Sequence, residues 1–171
     1  TRGLRIPKGA SPVGTTERGH LMSHTYVHLL VHCVFSTKER RGFLTGDVRQ
    51  ALWPYLGGIA RNNGMKAIAV GGAEDHCHLL LSIDSKRSIA EAVQRVKGNS
   101  SRWLRQRFPG LDKCAWQKGY GAFSIGISQV EDTVRYINAQ IAHHRHKTFK
   151  EEFLAFLKRH KVDYDPRYIW D

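Results

Sequence analysis

The segment His76–Ile83 (HCHLLLSI) constrains the fold more than any other part of the chain. In a β-strand, alternate side chains point to opposite faces of the sheet. One face of this strand is wholly apolar and suited to packing beneath helices, and the other presents His76 and His78 together. Two neutral imidazoles at that spacing can chelate one metal ion. A pair of histidines hydrogen-bonded on a polar strand face is the alternative, and a third ligand is needed to decide between them.

The remaining patterns predict an α+β fold. Strands are expected at Tyr26–Ser36, at Met65–Gly71 and, irregularly, at Trp116–Ile127. Helices are expected at Asp47–Asn63, Ile89–Phe108 and Val130–His144, with a short amphipathic helix at 151–160. The order β-α-β-β-α-β-α is that of a ferredoxin-like or RRM-like fold, an antiparallel βαββαβ sheet with helices on one face, followed by a C-terminal helix. The second face of the sheet is expected to be free for a ligand or a partner.

Two helix ends carry local signals. Gly64 follows Asn62 and Asn63 and suits the left-handed residue that closes a helix. Ser128 with Glu131 three residues later matches a capping box and predicts the start of the last helix.

The first 21 residues differ in composition from the rest of the chain. They are rich in Gly, Pro, Thr and Arg and show no periodicity. We interpret 1–21 as a vector-derived or disordered extension, with Met22 as the natural start and 22–171 as a single domain. Because this segment holds four basic residues and one acidic residue, +9 of the net charge of +12 belongs to 22–171.

This basic charge favours a polyanionic partner, most often nucleic acid. The three cysteines form no CxxC pair, which argues against a disulfide framework or a zinc ribbon and suits a reducing cytosol. No apolar run approaches the roughly 20 residues that span a bilayer. A cytoplasmic protein is expected, associated with the nucleoid when it acts on DNA.

The last predicted helix supplies candidates for further chemistry. Its apolar stripe is Val130, Val134, Ile137 and Ile141. Tyr136 and Gln140 lie off that stripe and are stacked one helical turn apart. A phenol has a pKa of about 10, so it attacks near neutral pH only when a cation or base activates it. The amide oxygen of Gln140 is a ligand suited to Mg²⁺ or Mn²⁺.

These residues resemble a known family, the single-tyrosine HUH transposases of small bacterial insertion sequences. HUH denotes His-hydrophobic-His, here His76-Cys77-His78. The other matching segments are VHCVFSTKERRGFL, WQKGYGAFSI, VRYINAQIAHH and the tail from Phe149. The resemblance spans 24–171, and the segments follow the family's order. Cys77 is smaller than the aliphatic residues common at the middle position, but a buried cysteine packs as a small hydrophobe.

The resemblance implies a mechanism and a set of partners. His76, His78 and Gln140 would bind Mg²⁺ or Mn²⁺, and Tyr136 would attack a DNA phosphate to give a 5′-phosphotyrosine and a free 3′-OH. The substrate would be single-stranded DNA with hairpins at the element ends. The protein would be a homodimer in which Tyr136 of one chain can complete the histidine site of the other.

Basic residues outside the site are candidates for DNA binding. They are Arg40, Arg41, Lys97, Arg102, Lys118, Arg135 and Arg145, with Arg135 and Arg145 placed to meet phosphates near the reaction. A solvated polar helix face is the simpler interpretation for several of them. Trp116 and Tyr120 either stack on unpaired bases or pack the irregular strand.

Three other functions compete with this one. A histidine-triad nucleotide hydrolase needs a third alternating histidine, and that position is Leu80. A non-catalytic nucleic-acid-binding module on the same frame accounts for the charge and the fold, but not for the positions of Tyr136 and Gln140. A domesticated relative would keep the cleavage chemistry and serve the host.

Overall fold

The computed structural model describes residues 26–144 and 146–170. The strands are β1 (Leu29–Ser36), β2 (Lys66–Gly72), β3 (His76–Ile83) and β4 (Gly121–Ser124). The helices are α1 (Gly46–Asn62), α2 (Ile89–Arg107), α3 (Val130–Asn138), α4 (Gln140–His143) and α5 (Phe149–Arg159), with short 3-10 turns at Lys38–Arg40 and Ile127–Gln129. The predicted α+β class is confirmed, and the boundary expected at residue 21 lies outside the described residues.

The four strands form one antiparallel sheet in the order β2-β3-β1-β4. This is the order of the predicted ferredoxin-like arrangement, in which β3 and β1 are the central strands. His78 is paired with Val34, and His76 is paired with Ser36. The two histidines therefore lie in the middle of the sheet, where neighbouring strands fix their backbone on both sides.

The main core lies between one face of the sheet and helices α1 and α2. It contains the apolar side of β3, namely Cys77, Leu79, Leu81 and Ile83, together with Leu52 and Leu56 of α1 and Val96 and Leu104 of α2. The alternation predicted for this strand is therefore confirmed. Gly64 has φ +69°, so it takes the left-handed conformation expected after α1.

The second face of the sheet is covered, and the expectation that it is free is wrong. Helix α3 packs on β2 and β3 through Ile137, which contacts Ala69 and Leu80. Helix α5 covers β1 and β4 through Phe149 and Leu157. The approach of α3 depends on Gly71, because a Cβ there would lie 2.4 Å from the carbonyl oxygen of Ile137. The strands carry apolar residues on this face, and helices α3 and α5 shield these residues from water.

The predicted helix Val130–His144 is interrupted. Helix α3 ends at Asn138, and Ala139 (φ −90°, ψ 5°) separates it from the single turn of α4. The break takes Ile141 off the apolar stripe and leaves it 54% exposed. The capping box predicted at Ser128 is wrong, because the Gln129 side chain instead accepts a hydrogen bond from the backbone N–H of Gly126 at 2.9 Å. The turn that precedes α3 therefore begins at Gly126.

Two strand predictions were too long. β1 begins at Leu29 rather than Tyr26, and the irregular strand is reduced to the four residues of β4. Trp116 makes one isolated bridge with Thr37 instead. Within the described residues, no helix is long and apolar enough to cross a membrane.

Candidate active site

The two histidines of β3 lie on the face that α3 and α5 cover, and both are fully buried. Nδ1 of His76 is 2.7 Å from Oδ1 of Asp75. A carboxylate at this distance accepts the Nδ1 proton, so the lone pair of His76 lies on Nε2, as it does in metal-binding histidines held by an outer carboxylate. The ring of His76 is therefore oriented toward the space between the sheet and the two helices.

His78 is held in the same way by another histidine. Its Nδ1 is 2.9 Å from Nε2 of His32 on β1, a buried residue that the sequence analysis did not assign to the site. Burial, followed by the charges of His76 and His32, lowers the pKa of His78 well below its usual value. The neutral ring is the form that binds metals.

Among the described residues, Nε2 of His78 is one of two unpaired buried nitrogens near Glu152, the other being Nε2 of His143. The His78 atom makes no hydrogen bond with any described residue, although Oε2 of Glu152 lies 3.5 Å away. A buried polar atom without a partner costs free energy unless something satisfies it. In the tautomer in which Nδ1 of His78 donates to His32, this atom carries a lone pair, and a cation would satisfy it.

Gln140 reaches the same place because α4 turns its side chain inward. The residue is 1% exposed, and its Oε1 lies 3.1 Å from Nε2 of His76. Its amide nitrogen donates to Oε1 of Glu152 at 2.9 Å, which fixes the amide orientation. When His76 is neutral and its proton lies on Nδ1, Oε1 of Gln140 and Nε2 of His76 face each other as two acceptors, an arrangement that a shared cation relieves.

Glu152 of α5 is a second residue that sequence reasoning missed. It is 2% exposed, and it also lies 3.0 Å from Nε2 of His144. Burial, with a contribution from the charge of Asp75, raises the pKa of Glu152 to about 8. The available signal was its position on the apolar side of an amphipathic helix, between Phe149 and Phe156, where a carboxylate needs a partner.

His76, His78 and Glu152 can each offer one ligand atom, and these atoms all lie within 4.8 Å of one another. Gln140 adds an amide oxygen beside them. Two carboxamide or carboxylate oxygens with two imidazoles form a ligand set suited to Mn²⁺ and compatible with Mg²⁺. The donor chemistry and the unpaired Nε2 of His78 both fit the divalent ion expected from the sequence.

Tyr136 completes the cluster. Its hydroxyl donates a short hydrogen bond to Oε1 of Glu152, and its ring meets that of His78 edge-on with centroids 5.8 Å apart. Tyr136 and Gln140, which the helical pattern placed away from the core stripe, face α5 and meet at one carboxylate.

A cavity of about 380 Å³ opens beside Tyr136, between α3 and α5. Its lining includes the tyrosine and Glu152, with Lys147 and Arg159 among the basic residues. A phosphate that enters this cavity would meet cationic side chains before it reaches the phenol oxygen.

The residues predicted to bind DNA are dispersed. Arg41, Arg102, Lys118 and Arg135 are exposed, and Arg40 is half-buried. Arg41 pairs with Glu39 and Arg135 with Asp132. Arg145 lies outside the described residues. These assignments stay predictions.

Lys97 differs from the other basic residues. Its ammonium donates to the carbonyls of Gln117, Lys118 and Gly119 at 2.6, 3.0 and 2.9 Å. An ammonium has three N–H donors, so Lys97 uses all of them to hold the segment before β4. A direct phosphate contact from Lys97 would require one of these bonds to break.

Comparison with known proteins identifies the family. A sequence model described as "Transposase IS200 like" matches residues 25–140. The ISDra2 transposase TnpA of Deinococcus radiodurans is 35% identical over 121 residues, which cover 67% of this chain and 86% of that protein. The chain belongs to the IS200-like transposase family. A transposase for the insertion sequence element IS200 of Salmonella typhimurium is 26% identical over 122 residues, 67% of this chain and 80% of that protein.

Solved structures agree with this assignment. A crystal structure of a Deinococcus radiodurans transposase matches with a TM-score of 0.56 and 25% identity over 80% of this transposase and 98% of that chain. A REP-associated tyrosine transposase bound to a REP hairpin matches with a TM-score of 0.54 over 71% of this chain and 72% of the other. At 16% identity, the second likeness concerns the fold alone. Glu152 lies beyond the segment that the family model matches.

Proposed function

We propose that this transposase cleaves and rejoins single-stranded DNA at insertion-sequence ends through a 5′-phosphotyrosine on Tyr136. One observation carries the proposal. The hydroxyl of Tyr136, the amide of Gln140 and the Nε2 atoms of His76 and His78 lie around the carboxylate of Glu152. This arrangement supports a nucleophile and metal ligands that act at one place.

The cleavage step follows from this arrangement. The phenol oxygen of Tyr136 forms a bond to the phosphorus, and its proton passes to Oε1 of Glu152 in its ionised form, the oxygen that accepts the hydroxyl hydrogen bond. The bond from phosphorus to the 3′-oxygen breaks, and the leaving oxygen takes up that proton from Glu152, directly or through water, to become a 3′-OH. In the reverse step, a 3′-OH attacks the phosphotyrosine, the new phosphodiester forms and Tyr136 regains its proton. No nucleotide cofactor is consumed.

Mg²⁺ or Mn²⁺ is the proposed cofactor, with His76, His78 and Gln140 as its ligands and Glu152 added to them. When bound, the ion would polarise the scissile phosphate and offset charge on the leaving oxygen. Asp75 and His32 would support the ligands without binding the ion. Asp75 fixes the ring orientation of His76, and His32 fixes that of His78.

The proposed substrate is single-stranded DNA that carries hairpins near the element ends. The excess basic charge of the chain supports a nucleic-acid partner. A structural neighbour is bound to a REP hairpin. This likeness supports a hairpin in the proposed substrate but does not identify the sequence of that hairpin. Arg40, Arg41, Arg102, Lys118, Arg135 and Arg145 are proposed phosphate contacts, and the proposed place of action is the bacterial cytoplasm.

A homodimer is also proposed, on the resemblance alone. The sharing of Tyr136 between subunits is a separate proposal, and the intrachain contact between Tyr136 and Glu152 favours a site completed within one chain. The two arrangements predict different behaviour when inactive variants are mixed.

The reaction can be tested with a hairpin-containing single strand labelled at either end and incubated with Mn²⁺. The fragment on the 5′ side of the break should be released with a 3′-OH, and the fragment on the 3′ side should stay attached to protein. Chelator and His78→Ala should abolish both products. Binding without cleavage, on strands from many element ends, would favour the non-catalytic nucleic-acid-binding module.

A further inference from the structure

A second cavity, of about 310 Å³, lies against a different face of α5 from the one that carries Glu152. Phe149, Phe153 and Leu157 form its helical wall. Phe149 also stacks on His76, with ring centroids 4.9 Å apart. Helix α5 is therefore a common wall between this cavity and the site of Tyr136.

The cavity is lined mainly by aromatic rings from separate parts of the chain. Tyr120 comes from the segment before β4, and Tyr164, Tyr168 and Trp170 come from the segment after α5. We call this cavity the aromatic cleft. Three of its rings keep large exposed fractions, 39% for Tyr120, 45% for Tyr164 and 66% for Tyr168. These three tyrosines are therefore accessible to a ligand that enters the cleft, and together they form an exposed aromatic patch.

Cationic groups surround these rings. The ammonium of Lys150 is 5.3 Å from the ring centre of Trp170, and the guanidinium of Arg40 is 5.7 Å from it. On Tyr168 the guanidinium of Arg167 lies at 5.4 Å. Exposed tyrosine rings with cations close by are the combination by which proteins hold single-stranded nucleic acid, since rings stack on bases and cations meet the backbone.

We propose that the aromatic cleft binds an unpaired base of single-stranded DNA, with Lys150 and Arg40 meeting the neighbouring phosphates. The inference rests on the proposed function for the identity of the ligand. A base in a duplex shows only its edges in the grooves, so a cleft that stacks on base faces selects unpaired nucleotides. The volume lies at the lower end of the range of small-ligand sites, roughly 300–1,000 Å³, which suits one base rather than a longer segment.

The test compares two oligonucleotides by fluorescence anisotropy, in chelator so that no cleavage occurs. One is an ordinary single strand, and the other has the same backbone with abasic sites. Tyr168→Ala should bind the ordinary strand about tenfold more weakly than the unchanged protein, and Tyr168→Phe, which keeps the ring, should bind nearly as well as the unchanged protein. On the abasic strand the Tyr168→Ala and unchanged proteins should be equal. Tyr164→Ala is a second variant with the same expectation.

Salt dependence gives a second readout. Lys150→Ala should lower the slope of log affinity against log salt by about one phosphate contact, whereas Tyr168→Ala should leave the slope unchanged. Equal affinity of Tyr168→Ala and the unchanged protein for the ordinary strand would overturn the proposal. An equal loss on both strands would also overturn it, because the ring would then support structure rather than a base. Failure of the unchanged protein to bind single-stranded DNA would overturn the proposed function as well.

Discussion

The hydroxyl of Tyr136 donates a hydrogen bond to Oε1 of Glu152, and this contact joins the helix of the proposed nucleophile to α5. The other oxygen of the same carboxylate lies 3.7 Å from Nε2 of His76 and 3.5 Å from Nε2 of His78. One side chain thus links the tyrosine to both histidines. The positions of the nucleophile and of the metal ligands are therefore coupled through α5.

Replacing Glu152 with Gln should weaken Mn²⁺ binding by about tenfold or more. The change keeps the shape of the side chain but removes the carboxylate that would lose its proton to bind the ion, and even an outer-shell partner is worth roughly ten- to hundredfold in metal affinity. Isothermal titration calorimetry measures the effect directly. Glu151→Gln is the matched control, because it makes the same substitution one residue away on α5 and still suits the capping box with Thr148. Equal affinities for the two variants would show that Glu152 is not a ligand.

Asp75→Ala should also weaken Mn²⁺ binding, by roughly ten- to hundredfold, because Nδ1 of His76 loses the acceptor that fixes its proton. Glu74→Ala is the control, since this neighbouring carboxylate is exposed. Both variants lose one negative charge close to the site. A similar drop in both would mean that the overall charge, and not the orientation of His76, determines affinity.

In chelator, the difference in thermal midpoint between the unchanged protein and Glu152→Gln should change as pH rises from 6.5 to 8, because the stability that Glu152 contributes is lost over this range. Burial raises the pKa of Glu152 from 4.5 to about 8, so the folded protein holds a proton that the unfolded chain has released. Stability from this group is present below pH 4.5 and is lost as pH rises through about 8. The pKa values of His32 and His144 are lowered from 6.5 to about 4, and that of Lys97 is lowered to about 8, but these groups are present in both proteins and cancel in the comparison. A difference between the two proteins that stays constant from pH 6.5 to 8 would contradict the assignment.

Mixing Tyr136→Phe with His78→Ala should not restore cleavage. The described residues of one chain bring its own tyrosine and histidines to one carboxylate, so each variant lacks a part that the other cannot supply. A strand-cleavage assay on the mixture, with each variant alone as a control, measures this. Recovery of a substantial fraction of activity would show that the tyrosine acts on the partner's histidines, as the trans arrangement requires.

The sequence predicted the sheet and the histidine pair well because both depend on local alternation. In β3, the apolar side of the strand and the two imidazoles follow from a period of two residues. Gly64 was predicted for a similar reason, since a positive φ after a helix favours glycine. These features need no knowledge of distant contacts.

Glu152 and His32 could not be predicted in this way, because their roles depend on tertiary contacts. Glu152 is 76 positions from His76 in the chain, and only the packing of α5 on β1 and β4 brings them together. His32 lies 46 positions from His78 and acts through the pairing of β1 with β3. The break at Ala139 was also missed, since a continuous helical pattern gives no sign that Gln140 must turn inward.

The most direct test is peptide mass spectrometry of the covalent adduct. The protein is incubated with a single-stranded hairpin substrate and Mn²⁺ and then digested. The digest is searched for a peptide joined to a nucleotide through the 5′-phosphate of that nucleotide. We predict the modification on Tyr136, with no adduct in Tyr136→Phe or in chelator. An adduct on another residue, or one that persists in Tyr136→Phe, would contradict the assignment of Tyr136 as the nucleophile.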